Sequence, residues 1–223
     1  MSNWIFLSYE LDSNTPMYGD GDRFKNRRLK QITKGDTANL SHWAFINHTG
    51  THVDAPFHFI QEDKTLSDFT PEFWIIKITS LIEFNKINPG QLLNKESLKS
   101  HFIPEDTELL LLKTGFGHYR YNETYWKCGP IISPDIASYL RKSCPNLRFL
   151  GLDTISVSSY SDRETGRKAH RAFLQGERPI LLLEDMDLSY VNNHTGFNQV
   201  IVSPLRVNKA DGSPCTIFAE ISK

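Results

Sequence analysis

Continuous apolar runs separated by polar, turn-rich segments predict a series of buried strands. The runs are WIFLSYEL near the N-terminus, then WIIKITSLIEF, ELLLLKTGF, RFLGLDT and the segment Ile180–Leu183. The tail, QVIVSPLRVNKADGSPCTIFAEI, predicts two further strands joined at Asp211-Gly212, a residue pair that is typical of tight turns. Most of the regular structure is therefore expected to be sheet.

Helices are predicted at fewer places. In SPDIASYLRKSC, Ser133 is a suitable cap and Pro134 suits the first helical position. A second helix is predicted over Ala169–Leu174, and NPGQLLNKESLKSHF predicts a turn followed by a short helix. Many strands with few helices predict an α/β fold with a large, mostly β core, as a single domain over residues 1–223.

Composition narrows the classes of partner. The 223 residues carry 25 basic and 26 acidic side chains, a net charge of −1, without the basic patch of a nucleic-acid or membrane-surface protein. No signal-peptide pattern occurs, and no run approaches the roughly 18 apolar residues of a membrane span. The three cysteines are scattered and suggest neither a disulfide framework nor a metal knuckle. We expect a cytoplasmic protein with a small-molecule partner.

The segment HTGTHVDAPFHF carries the strongest chemical signal. Its three histidines and one aspartate occupy even-numbered positions: His48, His52, Asp54 and His58. In an extended strand all four side chains would point to the same side. The glycine and the proline within the segment argue against a helix. Two imidazoles and a carboxylate suit Zn²⁺ or Mn²⁺, so His48, His52 and Asp54 are predicted metal ligands.

His58 lies beyond the proline and has two interpretations. It is either a further ligand or, as we favour, the acid/base group that takes a proton from water and passes it to the leaving group. The metal would lower the pKa of its bound water, in favourable zinc sites to about 7, and so supply a hydroxide nucleophile.

The alternative to a metal site is that the three histidines and the aspartate are ordinary side chains satisfied by hydrogen bonds. The spacing does not match the helical HExxH motif, which excludes a zincin.

The motif H-x-G-T-H-x-D-x-P-x-H, present without mismatch, resembles the signature of a metal-dependent cyclase/hydrolase family that includes bacterial kynurenine formamidases and isatin hydrolases. The resemblance continues through LLLLKTGF, GLDTISV, LLLEDMDLS and SPLRVNKADGSP, so it spans nearly the whole chain. It implies a swivelling β/β/α type of fold with a barrel-like core. It also implies a homo-oligomer, either a homodimer or a homotetramer.

The family resemblance also assigns roles within the site. It implies that His48, His52 and Asp54 bind one metal ion and that His58 is the acid/base residue. His170 in KAHRAF and Glu184 in LLLEDMD would complete a site for one or two Zn²⁺ ions, or Mn²⁺, with Asp54 and Glu184 as bridges in two-metal members. From the residues alone, the neighbouring aspartates at 185 and 187 are equally possible as the metal ligand assigned to Glu184. The interval between His170 and Glu184 is slightly longer than the family pattern.

For the function, the resemblance implies a hydrolase of a non-peptide carbon–nitrogen bond, first an arylformamide of the N-formylkynurenine type. The alternatives are a lactam or lactone hydrolase or cyclase resembling isatin hydrolase, and a non-catalytic metal- or ligand-binding module. The pocket tryptophan of the formamidases is replaced by Met17 and Tyr18, and Tyr18 is predicted to stack on an aromatic substrate. Asp153 and Ser156 are interpreted as either pocket-shaping or structural. The basic run at residues 23–28 either lies near a carboxylate substrate or, as we favour, forms a solvated face.

Overall fold

The computed structural model describes residues 3–19 and 21–222. The strands are β1 (Asn3–Phe6), β2 (Lys25–Lys30), β3 (Leu40–Ala44), β4 (His52–Asp54), β5 (Ile75–Ile76), β6 (Thr79–Glu83), β7 (Leu92–Leu93), β8 (Leu109–Lys113), β9 (Ile131–Ile132), β10 (Phe149–Leu152), β11 (Leu181–Glu184), β12 (Phe197–Pro204) and β13 (Gly212–Ile221). The α-helices are α1 (Lys95–Lys99), α2 (Glu123–Lys127), α3 (Asp135–Ser143) and α4 (Arg163–Leu174).

One large sheet dominates the described part of the chain. Its nine strands follow the order β5-β12-β13-β4-β11-β10-β8-β6, with β1 added beside β13. Strands β6, β8, β10 and β11 are parallel, whereas β4 is antiparallel to both of its neighbours, β11 and β13. Strand β12 also approaches β6, so the sheet curls almost closed. The predicted α/β fold with a mostly β, barrel-like core is confirmed.

The leucine-rich strands β8, β10 and β11 supply two hydrophobic cores, because successive side chains of a strand point to opposite faces. One core lies between the sheet and helices α3 and α4, and it includes Leu110, Leu150, Leu182, Ile136 and Phe173. The other core lies inside the curled sheet, and it includes Leu109, Leu111, Phe149, Leu181, Leu183, Val200 and Ile217. The apolar runs are continuous because both faces of these strands are buried.

The helices begin at places that differ from the prediction. Helix α3 has Pro134 rather than Ser133 as its N-cap residue. Helix α4 begins at Arg163, six residues before the predicted Ala169–Leu174 segment, because the Asp162 side chain caps a polar first turn that shows little apolar periodicity. No helix in the described ranges is long and apolar enough to cross a bilayer.

Two strand predictions need correction. WIIKITSLIEF forms two strands, since β5 pairs with β12 and β6 pairs with β8. The tail strands are not joined by a tight turn at Asp211-Gly212, because β12 ends at Pro204 and residues 205–211 form a loop that is hydrogen-bonded to Leu66 and Ser67. In that loop the Asp211 carbonyl accepts a hydrogen bond from the Ala55 N–H at 2.8 Å. The loop therefore brings Asp211 close to the HTGTHVDAPFHF segment rather than to a hairpin tip.

Candidate metal centre

Strand β4 lies at the middle of the site, between β11 and β13, and each of these strands places a residue opposite one end of β4. In the antiparallel register, Glu184 of β11 is opposite His52, and Gly212 of β13 is opposite Asp54. His52, Asp54 and Glu184 are almost fully buried. Buried charged groups are stable only when they are paired or bind metals, so this cluster needs positively charged partners.

The turn before β4 orients His52. Gly50 has a φ of +67°, in the left-handed region that glycine adopts without strain. Its carbonyl accepts a hydrogen bond from the His52 Nδ1–H at 2.8 Å. The remaining ring nitrogen of His52, Nε2, is then the one that faces Asp54 and Glu184.

Asp54 and Glu184 each direct one oxygen toward His52 and the other toward His170. His52 Nε2 lies 3.4 Å from both Asp54 Oδ1 and Glu184 Oε2. His170 Nε2 lies 3.5 Å from Asp54 Oδ2 and 3.6 Å from Glu184 Oε1. His48 Nδ1 lies 2.8 Å from Asp54 Oδ1. Two ligand atoms bound to one tetrahedral zinc at about 2.0–2.1 Å are roughly 3.3 Å apart. The separations of His52 and His170 from the two carboxylates fit a metal centre, whereas the 2.8 Å between His48 and Asp54 is that of a hydrogen bond.

Helix α4 brings His170 to this cluster. The Asp162 side chain accepts a hydrogen bond from the Thr165 N–H at 3.0 Å and so fixes the start of the helix. The Nδ1–H of His170 donates to the Gly166 carbonyl at 2.9 Å, which leaves Nε2 toward the two carboxylates. A Cβ on Gly166 would overlap Ser158, so the close approach of α4 depends on this glycine.

The loop after β10 holds Glu184. Its Oε1 accepts hydrogen bonds from the Ser156 hydroxyl at 3.0 Å and from the Val157 N–H at 2.7 Å. Of the two earlier interpretations of Ser156, the contact with Glu184 therefore supports a role beside the site. Asp153 lies elsewhere and accepts hydrogen bonds from Thr114.

The two aspartates that compete with Glu184 face away from the centre. Asp185 accepts hydrogen bonds from the Arg120 guanidinium at 2.9 and 2.7 Å and from the Tyr125 hydroxyl at 2.6 Å. Asp187 accepts hydrogen bonds from Ser189. The slightly longer interval between His170 and Glu184 does not separate them in space.

His58 follows β4 on a 3₁₀ turn, Pro56–His58. The prediction that all four residues of the motif share one strand face is therefore wrong, because only His52 and Asp54 lie in a strand. The His58 ring nevertheless reaches the cluster, where it stacks on the His48 ring with centroids 3.9 Å apart. Ring nitrogens of both histidines lie within 4.8 Å of an Asp54 oxygen, so geometry alone leaves His58 open as a ligand or an acid/base group.

Asp211 is the residue that sequence reasoning missed. Its Oδ2 accepts hydrogen bonds from His48 Nε2–H and from His58 Nδ1–H, both at 3.0 Å. Its Oδ1 accepts a hydrogen bond from the Asn47 side-chain amide at 2.7 Å. Asp211 could have been found from the segment SPLRVNKADGSP, which resembles the family and contains this acidic residue. The sequence analysis assigned no chemical role to that segment.

The electrostatics of the cluster follow from these contacts. Burial opposes protonation of His48 and His170, but their carboxylate partners raise the pKa of each histidine to about 10. Burial likewise opposes ionisation of Asp54 and Glu184, but the neighbouring histidines hold the pKa of both carboxyl groups below its ordinary value. Burial lowers the pKa of His58, so this ring is the one that favours the neutral form.

A cavity of about 300 Å³ opens above the cluster. Beyond the histidines and carboxylates, its wall includes Met17, Tyr18, Ile46, Phe59, Ile155, Arg163 and Arg167. Tyr18, the predicted stacking residue, is half-buried in this wall. The basic residues at 23–28 do not line the cavity, and β2, which carries most of them, is fully exposed.

A buried cluster of three histidines and two carboxylates beside a cavity is typical of metal-dependent hydrolases. The chain itself belongs to the cyclase family, since the family model described as "Putative cyclase" matches residues 5–159. Relatives named as kynurenine formamidases match over almost their full length. The kynurenine formamidase of Bacillus cereus is 30% identical over 213 residues, which cover 96% of this chain and 95% of that protein. The kynurenine formamidase of Bacillus thuringiensis is 31% identical over 218 residues, with the same coverage.

Solved structures share the fold at lower identity. Isatin hydrolase A from Labrenzia aggregata superposes with a TM-score of 0.84 at 20% identity, covering 100% of this chain and 94% of that one. A potential metal-dependent hydrolase with cyclase activity gives a TM-score of 0.77 at 18% identity and covers 100% of both chains. The predicted family and the predicted fold class are confirmed, and the chain is an enzyme of the hydrolase class.

Proposed function

We propose that this protein hydrolyses a small arylformamide of the N-formylkynurenine type at a divalent metal centre. The observation that carries the proposal is the convergence of three histidines and two buried carboxylates at one end of the cavity, with His58 beside them. The relatives at about 30% identity are kynurenine formamidases, which supports this choice of reaction.

The side chains fit a metal in their orientation as well as in their spacing. His52 and His170 each donate Nδ1–H to a backbone carbonyl, an arrangement that fixes the tautomer whose Nε2 binds metals. His48, His52 and Asp54 would hold one ion, and His170 and Glu184 would hold a second, with the two carboxylates shared. The donor set suits Zn²⁺, as one or two ions, or Mn²⁺. A bound divalent ion supplies Lewis acidity and lowers the pKa of a coordinated water molecule.

We assign the proton transfers to His58. Its Nδ1–H is bonded to Asp211, so Nε2 is the nitrogen available to a reacting group in the cavity. Because burial lowers the pKa of this ring, it is neutral at physiological pH and able to accept a proton. The same nitrogen then donates that proton to the departing aryl amine.

The rest of the cavity supports an aromatic substrate with an acidic group. Tyr18, Met17 and Ile155 provide an aromatic and aliphatic wall against which an aryl ring can pack. Arg163 and Arg167, one helical turn apart on α4, add positive charge to the same wall, and guanidinium groups bind carboxylates well. An arylformamide with an amino-acid side chain carries a carboxylate, whereas an uncharged aryl lactam does not.

We also propose the features that concern the whole chain. Residues 1–223 form one domain that acts in the cytoplasm, where its three cysteines are free thiols. Large apolar side chains are exposed on β1 and β3, where Phe6 is 66% and Trp43 is 63% accessible. Exposed patches of this kind mark association surfaces, and they support a homodimer or homotetramer.

The test compares His58→Ala with His194→Ala, which removes an exposed histidine remote from the cavity. Each protein is loaded with zinc or manganese, its metal content is determined by elemental mass spectrometry, and hydrolysis of N-formylkynurenine and isatin is measured. We expect formamide cleavage by the parent protein, a loss of about 10²–10⁴-fold in His58→Ala with its metal retained, and normal rates in His194→Ala. Isatin opening without formamide cleavage would favour the lactam hydrolase. Metal binding without any turnover would favour a binding module.

A further inference from the structure

We propose that Asp211 is a positioning residue that sets the orientation and tautomer of two histidines in the centre, His48 and His58. The inference rests on the proposed metal-dependent hydrolysis, because it concerns how the ligand and the acid/base residue of that reaction are held. It assigns a chemical role to the ADGSP segment, which neither the motif nor the cavity wall includes.

The geometry of the Asp211 carboxylate is fixed at several points. A single oxygen, Oδ2, accepts hydrogen bonds from His48 Nε2–H and His58 Nδ1–H, each at 3.0 Å. The other oxygen accepts the Asn47 amide at 2.7 Å. The Asp211 backbone carbonyl is bonded to Ala55 N–H, at the end of β4. The carboxylate is thus held in one place relative to the strand that carries the metal ligands.

The two contacts have different chemical consequences. A hydrogen bond from Nε2–H of His48 leaves Nδ1, the nitrogen 2.8 Å from Asp54, as the nitrogen available to a metal. A hydrogen bond from Nδ1–H of His58 leaves Nε2 as the nitrogen that can exchange a proton with substrate. His52 and His170 are held by backbone carbonyls, each through its Nδ1–H. His48 and His58 are stacked on each other and share one carboxylate oxygen instead.

A purely structural role for Asp211 makes a different prediction. In that case the carboxylate would matter only because it fastens the loop at residues 205–211 to Asn47. Asp211→Asn separates the two roles, since an asparagine keeps the size of the side chain and an oxygen for the Asn47 amide. Its NH₂ group would then face the two imidazole N–H groups, and a donor cannot accept their hydrogen bonds. Asn47→Ala removes the loop contact but leaves both histidine contacts.

The experiment uses the full chain and three variants: Asp211→Asn, Asn47→Ala, and Asp106→Asn as an exposed aspartate control far from the cavity. Zinc affinity is measured by competition with a chromophoric chelator, and histidine tautomers are observed by ¹H–¹⁵N NMR of the zinc-loaded proteins. Steady-state kinetics on N-formylkynurenine give kcat and KM. For Asp211→Asn we expect zinc affinity to fall about 10–100-fold, the His58 Nδ1–H tautomer to be lost, and kcat to fall more than KM changes. Asn47→Ala should retain the tautomer, and Asp106→Asn should match the parent protein.

The proposal is overturned if Asp211→Asn retains both the zinc affinity and the His58 tautomer of the parent protein. It is also overturned if Asn47→Ala loses both to the same extent, because the loop anchor would then explain the effect. Zinc affinity and NMR require no turnover. A parent protein that binds zinc but cleaves no formamide therefore contradicts the proposed substrate, while the comparison of variants still decides the role of Asp211.

Discussion

Replacement of Gly212 by alanine is expected to remove His48 from the centre without unfolding the protein. Gly212 is opposite Asp54 in the sheet, and its backbone is outside the left-handed region, so alanine is compatible with its conformation. The added Cβ would overlap His48 Cε1 and lie 2.9 Å from His48 Nδ1 and from the Val53 carbonyl oxygen. The contact with the carbonyl can be relieved only by a slight separation of β13 from β4, and the overlap with Cε1 requires the imidazole ring to move as well.

The size of that movement decides the outcome. Non-bonded carbon atoms attract most strongly at a separation of about 3.5–4.0 Å. The added Cβ would lie 2.9 Å from His48 Nδ1, so the ring must shift by roughly 0.6 Å or more at this atom. Metal–ligand distances tolerate only about 0.2 Å. The strain of overpacking, about 1–3 kcal/mol, is small enough for the fold to survive. We therefore expect Gly212→Ala to weaken metal binding at least tenfold and to lower kcat accordingly.

Gly151→Ala is the matched control. Its Cβ would also be crowded, at 2.5 Å from Met186 Sδ and 2.7 Å from Leu111 Cδ2, but these atoms lie in the core inside the sheet. Zinc affinity by chelator competition and the free energy of unfolding by urea titration are measured for both variants. Gly151→Ala should lose stability but keep its zinc affinity. If Gly212→Ala binds zinc as the parent protein does, or if both variants lose affinity in proportion to stability, the reasoning about His48 is refuted.

Three further predictions follow from the same contacts. Ser156→Ala removes a hydrogen-bond donor to Glu184 and should weaken zinc binding about 10-fold, as measured by chelator competition. An unchanged zinc affinity would show that the Ser156 hydroxyl does not support Glu184 as a ligand. Because the pKa of His48 and of His170 is raised from 6.5 to about 10, their stabilisation of the metal-free protein is complete below pH 6.5 and is lost as the pH rises through 10. Thermal unfolding of chelator-treated protein should show this decline, and a flat profile of stability against pH would contradict it. Zinc binding near pH 7.5 should release protons from these histidines, and calorimetry in buffers of different ionisation enthalpy would contradict this if it showed no release. Arg120→Ala leaves a buried aspartate unpaired and should lower the free energy of unfolding by about 3–5 kcal/mol, and a urea titration that shows under 1 kcal/mol would refute this.

The sequence was informative about strands that are buried on both faces. The runs around β8, β10 and β11 contain little besides leucine because each side chain enters one of two cores, so their positions follow from composition alone. Helix α4 was predicted too short for a related reason. Its first turns are polar, and the residue on their buried face is Gly166, which adds nothing to an apolar pattern. A tight turn was predicted in the tail because a local Asp-Gly pair does not reveal that the preceding segment forms a loop hydrogen-bonded to residues 66–67.

The site residues that are close together in the sequence were predictable, whereas those that only the fold brings together were not. His48, His52, Asp54 and His58 lie within one short segment, and their residue types alone suggest a metal. His170 and Glu184 came only from the family resemblance, since a histidine on a helix and a glutamate at a strand end are ordinary features. Asp211 lies 153 residues beyond His58 along the chain. Its proximity arises from the pairing of β13 with β4, which no spacing within the sequence encodes.

The charge balance of the cluster explains why its parts depend on one another. Asp54 and Glu184 are two carboxylates almost excluded from water, and their contacts hold both in the ionised form. Such a pair requires about two positive charges nearby. Protons on His48 and His170 supply them in the metal-free protein, and divalent ions would supply them in the loaded one. Protons and metal therefore compete for the same nitrogens. His58 differs because burial lowers its pKa, and its favoured neutral form leaves a nitrogen free for substrate.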